Sequence, residues 1–399
     1  MASFLGWALD AFDFFIVIFC LSAISADFHT TISSVTQAVF LTLAMRPVGA
    51  FLFGMMAERF GRRVTLMVDI VAFSVLELAS AFAPSLKSFL ILRALFGIAM
   101  GGEWGVGSAL AFETLPAEGR GFFSGILQEG YTTGYLLAAL TFGTLFTRIG
   151  WRGMFIVGAL PAFLVIFVRA KVEESPAWVK GRAAKKADAT AATTAAPRLG
   201  RDIVTYIGGF LFLVVLMTMF NLFSHGTEDL YPTFLLKNHG FSAQTVGLIG
   251  VIAALGGLLG GTIMGAMSER WGRRRTIMIT ALLAIPVIPL WAYSRSVRML
   301  AVGSFLMRFM VQGAWGVIPA HLNELSPPAV RGTFPGFAYQ LGNLLSSKSI
   351  VVQAKLVEGR YAGSYPPMFA WTVVIVASAV AFVTMCGKEK KGSDLSGTA

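Results

Sequence analysis

The sequence predicts an all-α membrane protein with twelve transmembrane helices in two pseudo-symmetric six-helix bundles. Three observations carry that prediction. The 399 residues are 56% apolar and only 13% charged, whereas an ordinary soluble domain is about 25% charged. Apolar windows of about 20 residues, each long enough to cross a bilayer as a helix, recur along the whole length. The second half of the chain then repeats the first at a fixed offset.

The windows fall at 4–26, 36–57, 65–83, 88–112, 121–146 and 153–170, then at 203–234, 243–267, 276–293, 298–321, 333–355 and 366–386. The first, "FLGWALDAFDFFIVIFCL", carries Asp10 and Asp13, which a cleavable signal sequence would not, so it is a permanent helix. The second holds Arg46 near its middle, and Glu103 and Glu129 occupy the middles of the fourth and fifth. Arg93 and Arg308 lie in the outer parts of the fourth and tenth, and Gln340, Asn343 and Lys348 line the eleventh. Glycine-rich runs in the fourth and eighth let helices approach closely. The polar, basic stretch 171–202 links the bundles, with a short helix expected around Trp178. The predicted organisation is a bundle at 1–172, a cytoplasmic linker at 173–202, a second bundle at 203–387 and a cytoplasmic tail at 388–399.

The net charge of +11 does not point to nucleic acid. Twenty of the 32 Lys and Arg lie on the linker side of the predicted spans and eight on the opposite side. That asymmetry places both termini in the cytoplasm. The two cysteines, Cys20 and Cys386, sit toward opposite faces, so no bridge is expected.

The repeat is explicit. "GMMAERFGRR" begins at Gly54 and "GAMSERWGRR" at Gly265, 211 residues later. "WGVGSALAFETLPAEGRG" from Trp104 matches "WGVIPAHLNELSPPAVRG" from Trp315 at the same offset. A parallel six-plus-six repeat is the plan of a large class of transporters with a central site between the halves. The paired "GRR" loops resemble those of the major facilitator superfamily, and the "E…P…RG" and "EESPAW" segments are similar to its sugar-porter branch. The resemblance implies a charged gate at the cytoplasmic ends: Glu58, Arg59, Arg62, Glu113 and Arg120 in one half, and Glu269, Arg270, Arg273, Glu324 and Arg331 in the other. Pairing across the halves would hold that gate shut, and anchoring of helix ends is the plainer reading.

Charge inside a bilayer is expensive and calls for a partner or a cavity. Asp10 and Asp13 are three residues apart and share a helix face. In "NLFSHGTEDLYPT", Asn221, His225 and Glu228 with Asp229 recur at helical spacing and form one polar stripe on the seventh span. Asn221 stands at the repeat position of Asp10, and Gly226 and Pro232 are expected to loosen the outer end of the helix. A lone Asn is as well explained by interhelical hydrogen bonding. A His beside two carboxylates points to a proton relay, because an imidazole changes charge near neutral pH.

This stripe resembles the seventh-helix signature N-x-x-[S/T]-H-x-[S/T]-Q-D-x-x-x-T of the lactate/pyruvate:proton symporters, a branch of the sialate:proton symporter family. "GWALDAFDFF" and "YQLGN" resemble its first and eleventh helices. Glu228 departs from the pattern, which has Gln there. The resemblance implies inward movement of a small monocarboxylate with a proton. A carboxylate entering a low-dielectric site needs a cation, and Arg46 offers a planar, permanently charged fork, with Arg308 as the second choice. Asn221 and Gln340 would bond the hydroxyl or keto oxygen. His225 and Asp229 would carry the proton, with Asp10, Asp13, Glu103 and Glu129 in reserve. A structural ion pair between Arg46 and Asp10 or Asp13 is the competing reading of that arginine.

The expected partners are a small carboxylate, a proton and the lipid bilayer, with no nucleic acid, metal or other cofactor, in a monomer of the bacterial inner membrane. Two rival readings remain. One is a transporter of another acid such as sialic acid, or of a sugar, and the other is a membrane nutrient sensor. No nucleophile–base arrangement suggests an enzyme.

Overall fold

The computed structural model describes residues 2–114, 120–163, 174, 206–326 and 334–390. Side chains are described for all of these except 2, 3, 58, 62, 102–114, 120–128, 161, 162 and 334. The first half contains α1 (Ala2–Asp27), α2 (Ile32–Phe60), α3 (Arg62–Ala81), α4 (Leu86–Thr114) and α5 (Arg120–Gly158). The second contains α6 (Ile207–Glu228), α7 (Tyr231–Lys237), α8 (Ala243–Trp271), α9 (Arg273–Leu283) and α10 (Ile288–Ala292). It continues with α11 (Val297–Trp315), α12 (Ile318–Leu325), α13 (Phe334–Ser346), α14 (Ser349–Glu358) and α15 (Pro366–Cys386). No strand occurs among the described residues. Among the described residues, eight helices or helix pairs are long and apolar enough to cross a membrane. A helix satisfies its own backbone inside the segment, which is what a hydrocarbon environment demands.

The 211-residue offset seen in the sequence reappears in the backbone. α2 and α8 are each 29 residues long and start at Ile32 and Ala243. Each is opened by a hydroxyl cap, Thr31 Oγ1 accepting from Ser34 N–H and Ser242 Oγ from Thr245 N–H. Such caps satisfy one of the free N–H groups that begin every helix. Each ends at a glycine in the left-handed region, Gly61 at φ 103° and Gly272 at φ 91°. A side chain there would be strained, which explains why the "GRR" loops begin with glycine.

The copies differ where proline or glycine intervenes. α4 runs unbroken to Thr114, whereas its counterpart breaks between α11 and α12 just ahead of Pro319. Proline lacks the N–H and crowds the carbonyl one turn back. The seventh span breaks at Asp229 and Leu230, with Pro232 in the first turn of α7. The fifth and sixth windows meet at Gly150, where φ 63° and ψ −175° leave the helical region and divide α5 into two helices. The linker 175–202 and the helix expected around Trp178 lie outside the described residues.

Polarity is inverted relative to a soluble protein. Phe82, Trp371 and Phe382 are more than 60% exposed, while Asp10, Arg46, Arg93 and Asp229 are buried. Cys20 is buried, Cys386 is exposed, and both are free. The halves meet along α5 and α8, where Gly143 and Gly247 allow close approach: a Cβ on Gly143 would lie 3.2 Å from the Gly247 Cα. α4 presses against α2 at Gly101, where a side chain would strike the backbone of Arg46. That contact fixes the height and rotation of the arginine.

Candidate functional site

The buried charges collect into three groups. The first lies between α1 and α2. Arg46 Nη2 is 3.7 Å from Asp10 Oδ2, and both side chains are almost completely buried. The guanidinium carbon stands 5.9 Å from the Trp7 ring centroid and 6.0 Å from that of Phe14. Arg46 Nε and Nη2 make no hydrogen bond among the described residues. A buried guanidinium with donors to spare has the capacity to hold an anion.

The second group crosses the interface between the halves. Glu228 on α6 forms an ion pair with Arg308 of α11. It also accepts hydrogen bonds from Ser224 Oγ at 2.9 Å and from Tyr131 Oη of α5 at 3.2 Å. Arg308 lies over the Tyr135 ring, 4.4 Å from its centroid. One residue further on, Asp229 Oδ1 is 3.2 Å from His225 Nδ1. The His225 ring meets Phe14 of the other half edge to face at 5.7 Å. The predicted stripe therefore carries two different pairings, because one residue turns a helix by about 100°.

His225, Glu228 and Asp229 offer donor atoms within 4.8 Å of one another. The guanidinium already on Glu228 opposes a metal cation there.

The third group is in the first half alone. Arg93 of α4 pairs with Glu77 of α3 at 2.7 Å and donates to Ser80 Oγ at 2.7 Å. Asp13 belongs here: a Cβ built on Gly158 would meet Asp13 Oδ1 and Glu77 Cγ, each at 2.9 Å. Asp10 and Asp13 thus serve different neighbours, although they are one turn apart.

Other expected positions fall as follows. Asn221 donates to the Met217 carbonyl of its own helix at 2.9 Å, so its amide N–H is engaged within the helix. Gln340 is buried and accepts from Asn343 Nδ2 at 3.3 Å. Glu129 is half-buried, with Oε1 against Gly261 of the other half. The side chain of Glu103 lies outside the described residues.

At the linker end, Arg273 bonds Glu324 at 3.1 Å and Glu269 at 2.7 Å, both within its own half. For Arg273, the pairing expected across the halves is therefore a pairing inside one half. Arg59 and Arg270 are exposed, and Arg59 lies over its neighbour Phe60 at 5.3 Å. Glu174 accepts from Arg63 N–H at 3.3 Å, and Glu389 accepts from Arg274 N–H at 3.0 Å. A carboxylate thus caps the helix after each "GRR" glycine, where the helix dipole favours negative charge. The side chains of Glu58, Arg62, Glu113 and Arg120, and all of Arg331, lie outside the described residues.

Sequence reasoning missed Glu77, Tyr131, Gln353 and Glu358. Glu77 was readable, since it is a carboxylate within an apolar window like Glu103 and Glu129. Tyr131 gave no signal, because a tyrosine in a membrane helix is unremarkable until its partner is known.

The family described as "Sugar (and other) transporter" matches residues 1–202 and 200–387. A carboxylic acid transporter protein homolog of Saccharomyces cerevisiae is 29% identical over 375 residues, which is 89% of this chain. The match spans 60% of the length of the yeast protein. A putative metabolite transport protein of Haemophilus influenzae is 33% identical, covering 90% of this chain and 88% of that protein. The sialic acid transporter NanX of Escherichia coli is 26% identical, covering 96% and 92%. The crystal structure of a D-xylose-proton symporter superposes with a TM-score of 0.76 at 19% identity, covering 99% of this chain and 98% of that one. At that identity the likeness is one of fold.

Proposed function

The chain belongs to the sugar (and other) transporter family, and we propose that it carries a small monocarboxylate, lactate or pyruvate, together with a proton. Membership makes it an integral membrane transporter and not an enzyme. Relatives named for carboxylic and sialic acids support a small organic acid as the cargo.

The observation that carries the reading is Arg46. Its guanidinium is buried, has two nitrogens without hydrogen bonds among the described residues, and stands 3.7 Å from Asp10. That separation exceeds the usual reach of a charged hydrogen bond. An incoming carboxylate can take the fork, and Asp10, relieved of its counter-charge, then favours a proton. One binding event thereby promotes the other. His225 and Asp229 supply the proton route on the opposite wall. In the first half, Asp13, Glu77 and Arg93 make two carboxyls for one guanidinium, so their charges balance when one carboxyl carries a proton. Anion and proton together are electroneutral, and the pH gradient then sets the direction.

The aromatic walls favour a small cargo. Trp7, Phe14, Tyr135 and Tyr339 are all buried around these groups. On this reading the linker side is cytoplasmic, following its excess of Lys and Arg, and a bacterial inner membrane houses a monomer.

Trp7 supplies the test. Its ring borders Arg46, so L-lactate or pyruvate should change tryptophan fluorescence saturably. The change should vanish in Trp7→Phe and shift to higher concentration in Arg46→Lys. A response to a neutral sugar, and none to either acid, would overturn the assignment.

A further inference from the structure

At the end of the bundle opposite the linker, one short element touches both halves. α14 begins after a turn at Ser347 and Lys348, and at its start Lys348 Nζ lies 5.5 Å from the Phe40 centroid on α2. At its middle, Gln353 Nε2 donates to the Gly226 carbonyl at 3.1 Å and to Thr372 Oγ1 at 3.1 Å. At its end, Glu358 Oε1 accepts from Ser33 N–H, in the first turn of α2, at 2.8 Å.

Each grip answers a specific need of the backbone. The first N–H groups of a helix have no partner within it. Thr31 satisfies Ser34, and Glu358 reaches across from the other half to satisfy Ser33 with a full negative charge. The Gly226 carbonyl would take the N–H of Leu230 if α6 continued, but the chain turns there and α7 starts at Tyr231. The buried Gln353 amide takes its place, one residue from His225. A buried carbonyl left without a donor is costly, so the break in the seventh span relies on this side chain. Beside the Glu358 grip lies a cavity of about 580 Å³ bordered by both halves, including Ser25, Thr30, Lys237 and Tyr365. The halves have room to part at this point.

We propose that α14 is a strap that holds the mouth opposite the linker shut. Glu358 is the latch to the first half, and Gln353 is a positioning residue that ties the latch to the break beside His225. Losing either grip shifts the population toward a state parted at that end. The inference rests on the geometry of this end and not on the identity of the cargo.

The test is a distance measurement by double electron–electron resonance in lipid nanodiscs. Spin labels go on Lys87→Cys and Arg295→Cys, exposed residues at that end of the two halves. Cys386→Ser removes the exposed native thiol, and the buried Cys20 stays. The parent protein should show mainly the short distance. Glu358→Ala and Gln353→Met should each raise the ratio of long to short on the order of ten-fold, the effect of losing one buried or charged hydrogen bond. Glu358→Gln, whose amide oxygen still accepts from Ser33, should fall between the parent and Glu358→Ala, and it keeps the test open if the alanine variant does not fold. A parent already at the long distance, or variants indistinguishable from the parent, would overturn the proposal. The readout needs no substrate, so a wrong cargo assignment would leave it intact.

Discussion

Arg46 and Arg308 are both buried arginines near the junction of the two halves, yet they are held in different ways. Arg308 is paired with Glu228, which is itself fixed by Tyr131 and Ser224, and it lies over the Tyr135 ring. Arg46 has Asp10 at 3.7 Å and two flanking rings. Two residues of one chemical type are therefore suited to separate duties. A close ion pair to a carboxylate that is itself anchored suits Arg308 to tying helices together, whereas the wider separation from Asp10 leaves Arg46 open to a second carboxylate. The departure of Glu228 from the Gln of the symporter signature fits that division, because a carboxylate of the chain already occupies the second cation.

The largest effect that would break this contrast concerns stability. Removing the Glu228 carboxylate leaves Arg308 buried without its partner, and arginine cannot escape by losing a proton. Glu228→Ala is expected to cost about 3–5 kcal/mol, read as a lower midpoint in denaturation of the detergent-solubilised protein. Asp10→Ala should cost clearly less, and equal losses would put the two arginines in one class. Next in size is ligand affinity. Arg46→Lys keeps the charge and loses the fork, so lactate binding should weaken by about ten-fold or more, the equivalent of about 1.4 kcal/mol, with little change in the denaturation midpoint. Arg308→Lys should show the reverse balance.

A smaller effect separates the proton route from the anion site. An imidazole can take up and release a proton, as a relay requires. Uptake by the parent should rise as the outside pH falls, because the proton then moves inward with the cargo down its gradient. His225→Ala should flatten the profile, while exchange of labelled for unlabelled lactate at equal pH persists. A profile as steep as that of the parent would move the proton to Asp10 or to the group of Asp13 and Glu77. Smallest of all is Asn221→Ala, expected to change uptake less than about three-fold, since the lost bond is one neutral hydrogen bond within the helix.

Much of this was legible in the sequence, for reasons that show where the legibility stops. The 211-residue offset was visible in the "GRR" loops, and the structure extends it to the caps and terminal glycines of α2 and α8, because caps and left-handed turns depend on local residue chemistry. The buried charges were equally visible, since an apolar window makes every Asp, Arg or Glu conspicuous. Partner choice was not visible. Glu228 and Asp229 are adjacent, and only the rotation of α6 against α11 decides which of them meets Arg308 and which meets His225. Asp13 was grouped with Asp10 by helical spacing, but its neighbour Glu77 comes from α3, which no local pattern relates to α1. The same holds for Arg273, whose carboxylate partners could be named from the motif while the half that supplies them could not. Gln353 and Glu358 escaped notice because a Gln and a Glu near a helix end look solvated until the other half is in place.

The central claim is that a carboxylate held at Arg46 moves with a proton, and one transport measurement tests it most directly. Purified protein in proteoliposomes is given labelled L-lactate under an imposed pH gradient, alkaline inside, with Arg46→Ala and His225→Ala alongside. The account predicts accumulation above equilibrium that collapses on adding a protonophore, is abolished in Arg46→Ala, and no longer responds to the gradient in His225→Ala. Accumulation that survives the protonophore, or full activity in Arg46→Ala, would contradict it.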